Sequence, residues 1–577
     1  MSRHFDICII PCCFSIPLKC SLLKAVSFAD LKDFLTIVAP PVQDEEVKNL
    51  CLARVDPLVD TNVGLIRGLQ ATDGDYSMFL GIPYAKVNHT NPFGPSIPLN
   101  KFDGIFQAVH DTTGCPQLDE FSNTITGTID CLQLSVYVPN TANSQNKVPV
   151  LVWIHGGSFY RGSASKSLYG PKFLVRHEVI LVTLNYRLGP YGFMCLDTRE
   201  VPGNQGLRDQ LGALRWIKNN IEAFGGDGNK ITLFGQSAGG RSVDFHLVSD
   251  YEKLFDKIII QSGISMSPPV IAQVDSRPTL LLAEKLGLST KDIFEALNFL
   301  SITDPHAVVA ASLEIDFRFR PCIENSFDKV EKIISDYTMN KIIPKVKNTP
   351  MLVGHTNNER IMVYVGKDDA YLETQDPFND RLEGYFDFNK TQLQDMSNIV
   401  RQFYIGDEKI STKNLQTIVD FESDFTYMHP IHRRMYQNIY NGCKNVYHYV
   451  FSYHGQRHIS LRKDNVTIYG AAHSDELGYL FDMPVVLEDE ITLEDQIIID
   501  RMTTLWTNFA KFGDPTPIVS DLLPVKWIPV TDRRMFYYNI DTKVTLERRM
   551  FHKEVAFWDL FFKHNQHLQK GYRNISN

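Results

Sequence analysis

Ile231-Thr-Leu-Phe-Gly-Gln-Ser-Ala-Gly-Gly240 is the stretch on which the fold turns. Its first four residues are apolar or β-branched without alternation, which predicts a strand buried on both faces, as in a parallel sheet. Two glycines then flank Ser237 in a Gly-x-Ser-x-Gly turn, and a helix follows. A serine at a sharp strand-to-helix turn presents its hydroxyl at the end of the strand, and side chains in place of the glycines would collide with neighbouring backbone. The pattern alone is weak, because a chain of this length shows about 0.2 such matches by chance at average Gly and Ser usage. The strand before it and the helix after it make it specific.

Upstream, Leu207, Leu211, Leu214, Ile217, Ile221 and Phe224 recur at intervals of three and four, the apolar stripe of a helix packed on a sheet, and Gly225-Gly226 ends it. Residues 148–154 (VPVLVWI) and 179–184 (VILVTL) read as further buried strands, as do 257–260, 351–353 and 446–453. Helical periodicity runs through 280–300 and 493–512. Strands that alternate with helices predict an α/β fold: a mostly parallel central sheet flanked by helices, with long loop and helical insertions.

A serine hydroxyl is a poor nucleophile until a base takes its proton, and the oxyanion it creates must meet fixed N–H donors. His155-Gly-Gly-Ser-Phe159 follows strand 148–154 directly. Its side-chain-free backbone suits an oxyanion loop in which Gly156 and Gly157 donate together with Ala238. On its own the glycine pair reads equally as a plain turn.

The landmarks Phe79-Leu-Gly-Ile-Pro-Tyr-Ala85, Asp130-Cys-Leu132, the HGGSF loop, Asn185-Tyr-Arg-Leu-Gly189, Gly203-Asn-Gln-Gly-Leu207, Phe224-Gly-Gly-Asp227, GQSAGG and Trp506-Thr-Asn-Phe-Ala510 occur in order. In these the chain resembles the type B carboxylesterases of the carboxylesterase and cholinesterase family, over roughly residues 60 to 560. The resemblance implies the α/β-hydrolase fold and a serine esterase that acts through an acyl-enzyme on small or medium carboxylic esters, with no metal or organic cofactor. It assigns the acid to Glu359, in Gly354-His-Thr-Asn-Asn-Glu359, and the base to His473, in Gly470-Ala-Ala-His-Ser-Asp-Glu476. Ser237, Glu359 and His473 then follow the order expected of this fold. Arg360 stands where the family usually has glycine, a departure that bears on the solvation or pairing of Glu359. Ile129 and Ile97 replace an acidic and a basic residue of the family, a double loss compatible with folding.

Cys115 and Cys131 are close in sequence and would close a short loop, and the family resemblance implies that they form a disulfide. The interval between them lacks the tryptophan with which cholinesterases bind a quaternary ammonium, which argues against acetylcholine as substrate. Two rival readings are a catalytically inactive, neuroligin-like binding or adhesion protein and a lipase. The first usually lacks the serine, and the second needs a larger lid.

With 577 residues, 44% hydrophobic and 22% charged, the chain has the composition of a well-cored globular protein. A net charge of −9 without clustered Lys and Arg argues against a nucleic-acid partner. No uncharged apolar run reaches the roughly 18 residues of a membrane span. Residues 55–565 are expected to form one domain, between an N-terminal leader at 1–54 and a polar tail at 566–577. Within 1–27, Arg3 and His4 precede the uncharged stretch from Ile7 to Leu18, as in a secretory signal, whereas Asp6, Pro11, Pro17 and three cysteines work against that reading. A disulfide points to a secreted or secretory-lumen protein, the alternative being cytoplasmic. Sequons at Asn88, Asn389, Asn465 and Asn574 permit glycosylation, no CxxC pattern suggests zinc, and the oligomeric state is not legible.

Overall fold

The computed structural model describes residues 57–268, 271–272, 274–335, 343–460, 469–487, 490–549 and 551–570. The leader with its signal-like stretch, the sequons at Asn465 and Asn574 and the tail beyond 570 lie outside them. All the described residues fall in one compact unit.

The central sheet is built from β1 (Leu69–Gln70), β2 (Tyr76–Pro83), β3 (Gln133–Pro139), β4 (Val148–Ile154), β5 (Ile180–Leu184), β6 (Gly226–Gln236), β7 (Lys257–Gln261), β8 (Met351–Thr356), β9 (Val446–Phe451), β10 (Phe536–Ile540) and β11 (Thr545–Arg548). Their order across the sheet is β11-β10-β9-β8-β7-β6-β4-β5-β3-β2-β1. The run from β10 to β5 is parallel throughout, and the remaining strands join antiparallel at the two edges.

Side chains alternate across a strand, and the central strands divide theirs between two cores. Val150, Val152, Ile154, Ile231 and Leu233 join one cluster, together with Leu207, Leu211, Leu214 and Ile217 of helix α1 (Gln205–Asn220). Leu151, Trp153 and Phe234 face the other way, into a cluster with Ile498, Met502, Trp506 and Phe509 of the helix Leu493–Phe512. Burial on both faces is why these strands read as unbroken apolar runs.

The register aligns the strand ends that matter. Ile154 pairs with Gly235, Gln236 with Gln261, and Gln261 with Gly354, so that β4, β6, β7 and β8 all end along one edge. In open α/β sheets that C-terminal edge is where ligands bind.

The expected helix at 280–300 is two helices, Arg277–Lys285 and Ile293–Ile302. Gly287 takes a left-handed φ of +105°, and the amide of Leu288 turns back to the carbonyl of Ala283 at 2.8 Å, which closes the first helix. Asp292 caps the second by accepting from the amides of Phe294 and Glu295. Between β8 and β9 lies a helical insertion that includes α2 (Pro377–Tyr385), α3 (Leu415–Ser423) and α4 (His429–Tyr440). Its Phe378, Phe421 and Phe425 share an aromatic core with Trp558 of the C-terminal helix His552–Asn565. At Lys570 the amide bonds the carbonyl of Tyr385 at 2.9 Å.

Candidate active site

Ser237 stands between β6 and the helix Ala238–Val248 with φ 56° and ψ −121°, a conformation L-residues rarely adopt. Its neighbours permit this only as glycines: a Cβ on Gly239 would lie 2.0 Å from the carbonyl oxygen of Ile154. The helix therefore begins in contact with the end of β4, and the residue at the turn is pushed up from the strand edge. The Ser237 amide is held by the carbonyl of Gln261 at 2.9 Å.

The loop after β4 closes over the same point. A Cβ on Gly156 would come within 2.8 Å of the Gln236 carbonyl and 3.1 Å of the Ser237 Cβ. Gly157 has a φ of +101°, and a Cβ there would meet the Arg161 carbonyl at 2.1 Å. His155 is a support of this loop: buried, it stacks on Tyr186 at 4.5 Å, and burial pushes its pKa down to about 4, so its ring is neutral.

Glu359 and His473 meet from opposite sides of the insertion. The Nδ1–H of His473 donates to Glu359 Oε2 at 2.6 Å, and the other carboxylate oxygen accepts the Thr356 amide at 2.9 Å. Burial alone would raise the Glu359 pKa, but the charge and hydrogen bond of His473 hold it below the ordinary value. With Nδ1 committed as donor, Nε2 carries the free lone pair. That nitrogen lies 3.2 Å from Nε2 of Gln236, the residue immediately before Ser237. The Tyr427 ring packs on the imidazole at 5.0 Å between centroids. Tyr427 comes from a π-helical turn, Asp424–Met428, that joins α3 to α4, the kind of irregularity that recurs at functional sites.

Arg360 does not engage the neighbouring acid. Its Nε donates to Glu422 at 2.9 Å, a carboxylate it shares with Arg381, so Glu359 keeps both of its oxygens for His473 and the Thr356 amide. Behind His473, Glu476 is buried: one oxygen accepts from Gln261 at 3.1 Å, and burial together with the charge of Glu359 pushes its pKa up to about 8.

Ser237, Ala238 and Gly157 open into a cavity of about 770 Å³, which Tyr160, Thr426 and Tyr427 also line. Gly156 is not among the residues that line it. Cys115 and Cys131 form a disulfide, and a second one, Cys195–Cys322, joins residues 127 positions apart. Nothing in the sequence marks that pair, since the two cysteines meet only through the path of the chain. Tyr427 is likewise without a sequence signal. Among the described residues no helix is long and apolar enough to cross a membrane.

The family model of the carboxylesterase family matches residues 55–558. Human bile salt-activated lipase is 31% identical over 87% of this chain and 69% of its own length. Juvenile hormone esterase of Tribolium castaneum is 31% identical over 80% of this chain and 84% of its own. The crystal structure of juvenile hormone esterase from Manduca sexta, with OTFP covalently attached, superposes with a TM-score of 0.78 at 25% identity, covering 88% of this chain and 100% of that one. The chain belongs to the carboxylesterase family and is a carboxylic ester hydrolase of the α/β-hydrolase fold.

Proposed function

We propose that Ser237, His473 and Glu359 carry the hydrolysis through an acyl-enzyme. The observation that supports this most is the imidazole of His473, fixed at Nδ1 by a buried carboxylate while Nε2 points at the turn that holds Ser237. In the reaction Nε2 exchanges its contact with the Gln236 amide for the Ser237 hydroxyl and takes its proton as Oγ attacks the ester carbonyl. The amides of Gly156, Gly157 and Ala238 stabilise the tetrahedral oxyanion. His473 returns the proton to the leaving alcohol, and water then repeats the sequence to release the acid. Glu359 keeps the imidazole in the right tautomer and stabilises its cation.

The test is hydrolysis of p-nitrophenyl butyrate by the protein and by Ser237→Ala, with an organophosphate to label the active serine. The expected result is stoichiometric labelling at Ser237 and a loss of roughly 10⁶ in turnover in the variant. Unchanged turnover in a folded Ser237→Ala protein would remove this residue from the mechanism. Two disulfides bridge the described chain, which supports the secretory pathway as its place of work. No observation favours an inactive binding protein or a lipase.

A further inference from the structure

The cavity in front of Ser237 is lined by six arginines, and among the described residues it is lined by no aspartate, glutamate or lysine. In a chain of net charge −9 this concentration of one sign calls for an account. Arg161 is neutralised at the rim by Glu120, at 3.0 Å. Arg360 and Arg381 share the single carboxylate of Glu422, each at 2.9 Å, and together keep one positive charge. Arg241, one helical turn after Ser237, donates to the carbonyl of Pro268 at 3.1 Å.

The decisive pair is Arg318 and Arg320. They flank Phe319, which is buried in the core, while both arginines line the cavity. Arg318 lies over the Tyr160 ring, 5.5 Å from its centroid. No carboxylate among the described residues pairs with either, and the buried Nε of Arg320 has no hydrogen-bond acceptor among them. Burial lowers the pKa of Arg320 and of Arg241, and the Arg320 charge adds to the effect at Arg241, so the two cations feel each other across the site.

The segment is also held in place. Cys322 is bonded to Cys195, its amide donates to Asn204 Oδ1 at 2.9 Å, and Asn204 Nδ2 donates back to the Cys322 carbonyl at 2.8 Å. A buried guanidinium N–H without an acceptor, as at Arg320 Nε, is costly, and like charges kept together are costly again. Such an arrangement persists when a ligand supplies the missing charge.

We propose that this cavity selects esters that carry a second, anionic group, a carboxylate or sulfonate-like oxyanion, which Arg318 and Arg320 bind while the ester carbonyl lies at Ser237. The inference rests on the esterase reading of Ser237 and names the substrate class of that same site. The positive cavity concentrates such substrates, an effect worth between about 10-fold and 10³-fold on association that salt weakens.

The experiment compares kcat/KM for two pairs of substrates at low ionic strength. On the acyl side, the p-nitrophenyl monoester of adipic acid is set against p-nitrophenyl heptanoate. On the alcohol side, para-sulfophenyl butyrate is set against para-(methylsulfonyl)phenyl butyrate. The expected result is at least a 10-fold preference for the anionic member of one pair, which also tells which side of the ester carries the anion. Added salt should reduce the preference, and Arg318→Gln and Arg320→Gln together should bring the ratio close to one. Arg318 is exposed, so Arg318→Gln alone provides a second variant that should lower the ratio if the double variant does not fold. Hydrolysis of the neutral esters with no preference for either anionic partner, or a preference that both variants leave intact, overturns the proposal and leaves the esterase reading standing. Failure to hydrolyse any of the four, with no labelling of Ser237, overturns both.

Discussion

Replacing Glu476 with glutamine should stabilise the protein at neutral and alkaline pH and have no such effect in acid. Glu476 is fully buried three residues after His473, with one oxygen on Gln261 and the other, Oε2, without a hydrogen-bond partner among the described residues. In the unfolded chain it releases its proton near its ordinary value of 4.5, whereas in the fold it holds it to about pH 8, because burial and the nearby Glu359 disfavour the anion. Between those two values the folded state binds a proton that the unfolded state has lost, so stability falls as pH rises, by about 1.4 kcal/mol per pH unit. The cost is about 3 kcal/mol at pH 7 and about 5 kcal/mol at pH 8, where it levels off. Glutamine has nearly the same shape, is neutral at every pH, and its carbonyl oxygen still accepts from Gln261. Urea unfolding of both proteins at intervals from pH 5 to 9 measures the difference. The gain should grow by about 4 kcal/mol between pH 5 and 8, while turnover at pH 7 stays within a few-fold, since both side chains are neutral there. A stability difference that is flat with pH, or larger in acid, would refute the reasoning.

Glu359→Gln removes the charge that fixes the His473 tautomer, and kcat for p-nitrophenyl butyrate should fall about 10⁴-fold, by analogy with the same change in a serine-protease triad, with circular dichroism unchanged; a loss below tenfold would contradict the role given to Glu359. Cys195→Ser together with Cys322→Ser opens a link across 127 residues, and the chain-entropy account gives about 5 kcal/mol lost, readable as a lower urea midpoint; equal midpoints would show that the bridge contributes nothing. Asp209→Ala strands Arg187, which is buried with it at 2.7 Å and also holds the carbonyls of Pro92 and Gly94, and should cost 3 to 5 kcal/mol by the same assay. A cost below 1 kcal/mol in that variant would mean that the pair is not structural.

What could be read from the sequence is what local sterics and periodicity dictate. The helix Leu493–Phe512 has the expected bounds because Thr492 caps its start, accepting the Asp495 amide, and Gly513 ends it with a φ of +69°. In 280–300 the apolar spacing continues past Gly287, although the helical backbone does not. The apolar runs stop at 353 in β8 and 234 in β6, short of the strand ends at Thr356 and Gln236, because polar residues such as His355 and Gln236 are buried at the C-terminal edge where the site lies. Glu359 and His473 carry no local signature; only their resemblance to a family pattern singled them out among 17 histidines and many acids.

The charge of the cavity was hidden for a different reason. Arg241 arrives on the helix behind Ser237, Arg318 and Arg320 on a segment held by a disulfide, and Arg360 and Arg381 on the insertion between β8 and β9. Spread over residues 161 to 381, they form no run and leave the chain acidic overall. A net charge is a sum over the whole chain, whereas substrate preference depends on which side chains converge in a space of about 770 Å³. The Gly-x-Ser-x-Gly turn needs only its own residues and their nearest strand to take shape, so chemistry could be read from it. Selectivity depends on contacts between segments far apart in sequence, so the same sheet and the same turn can carry different selectivities, and in this chain the proposed preference for anionic esters rests on where Arg318 and Arg320 converge.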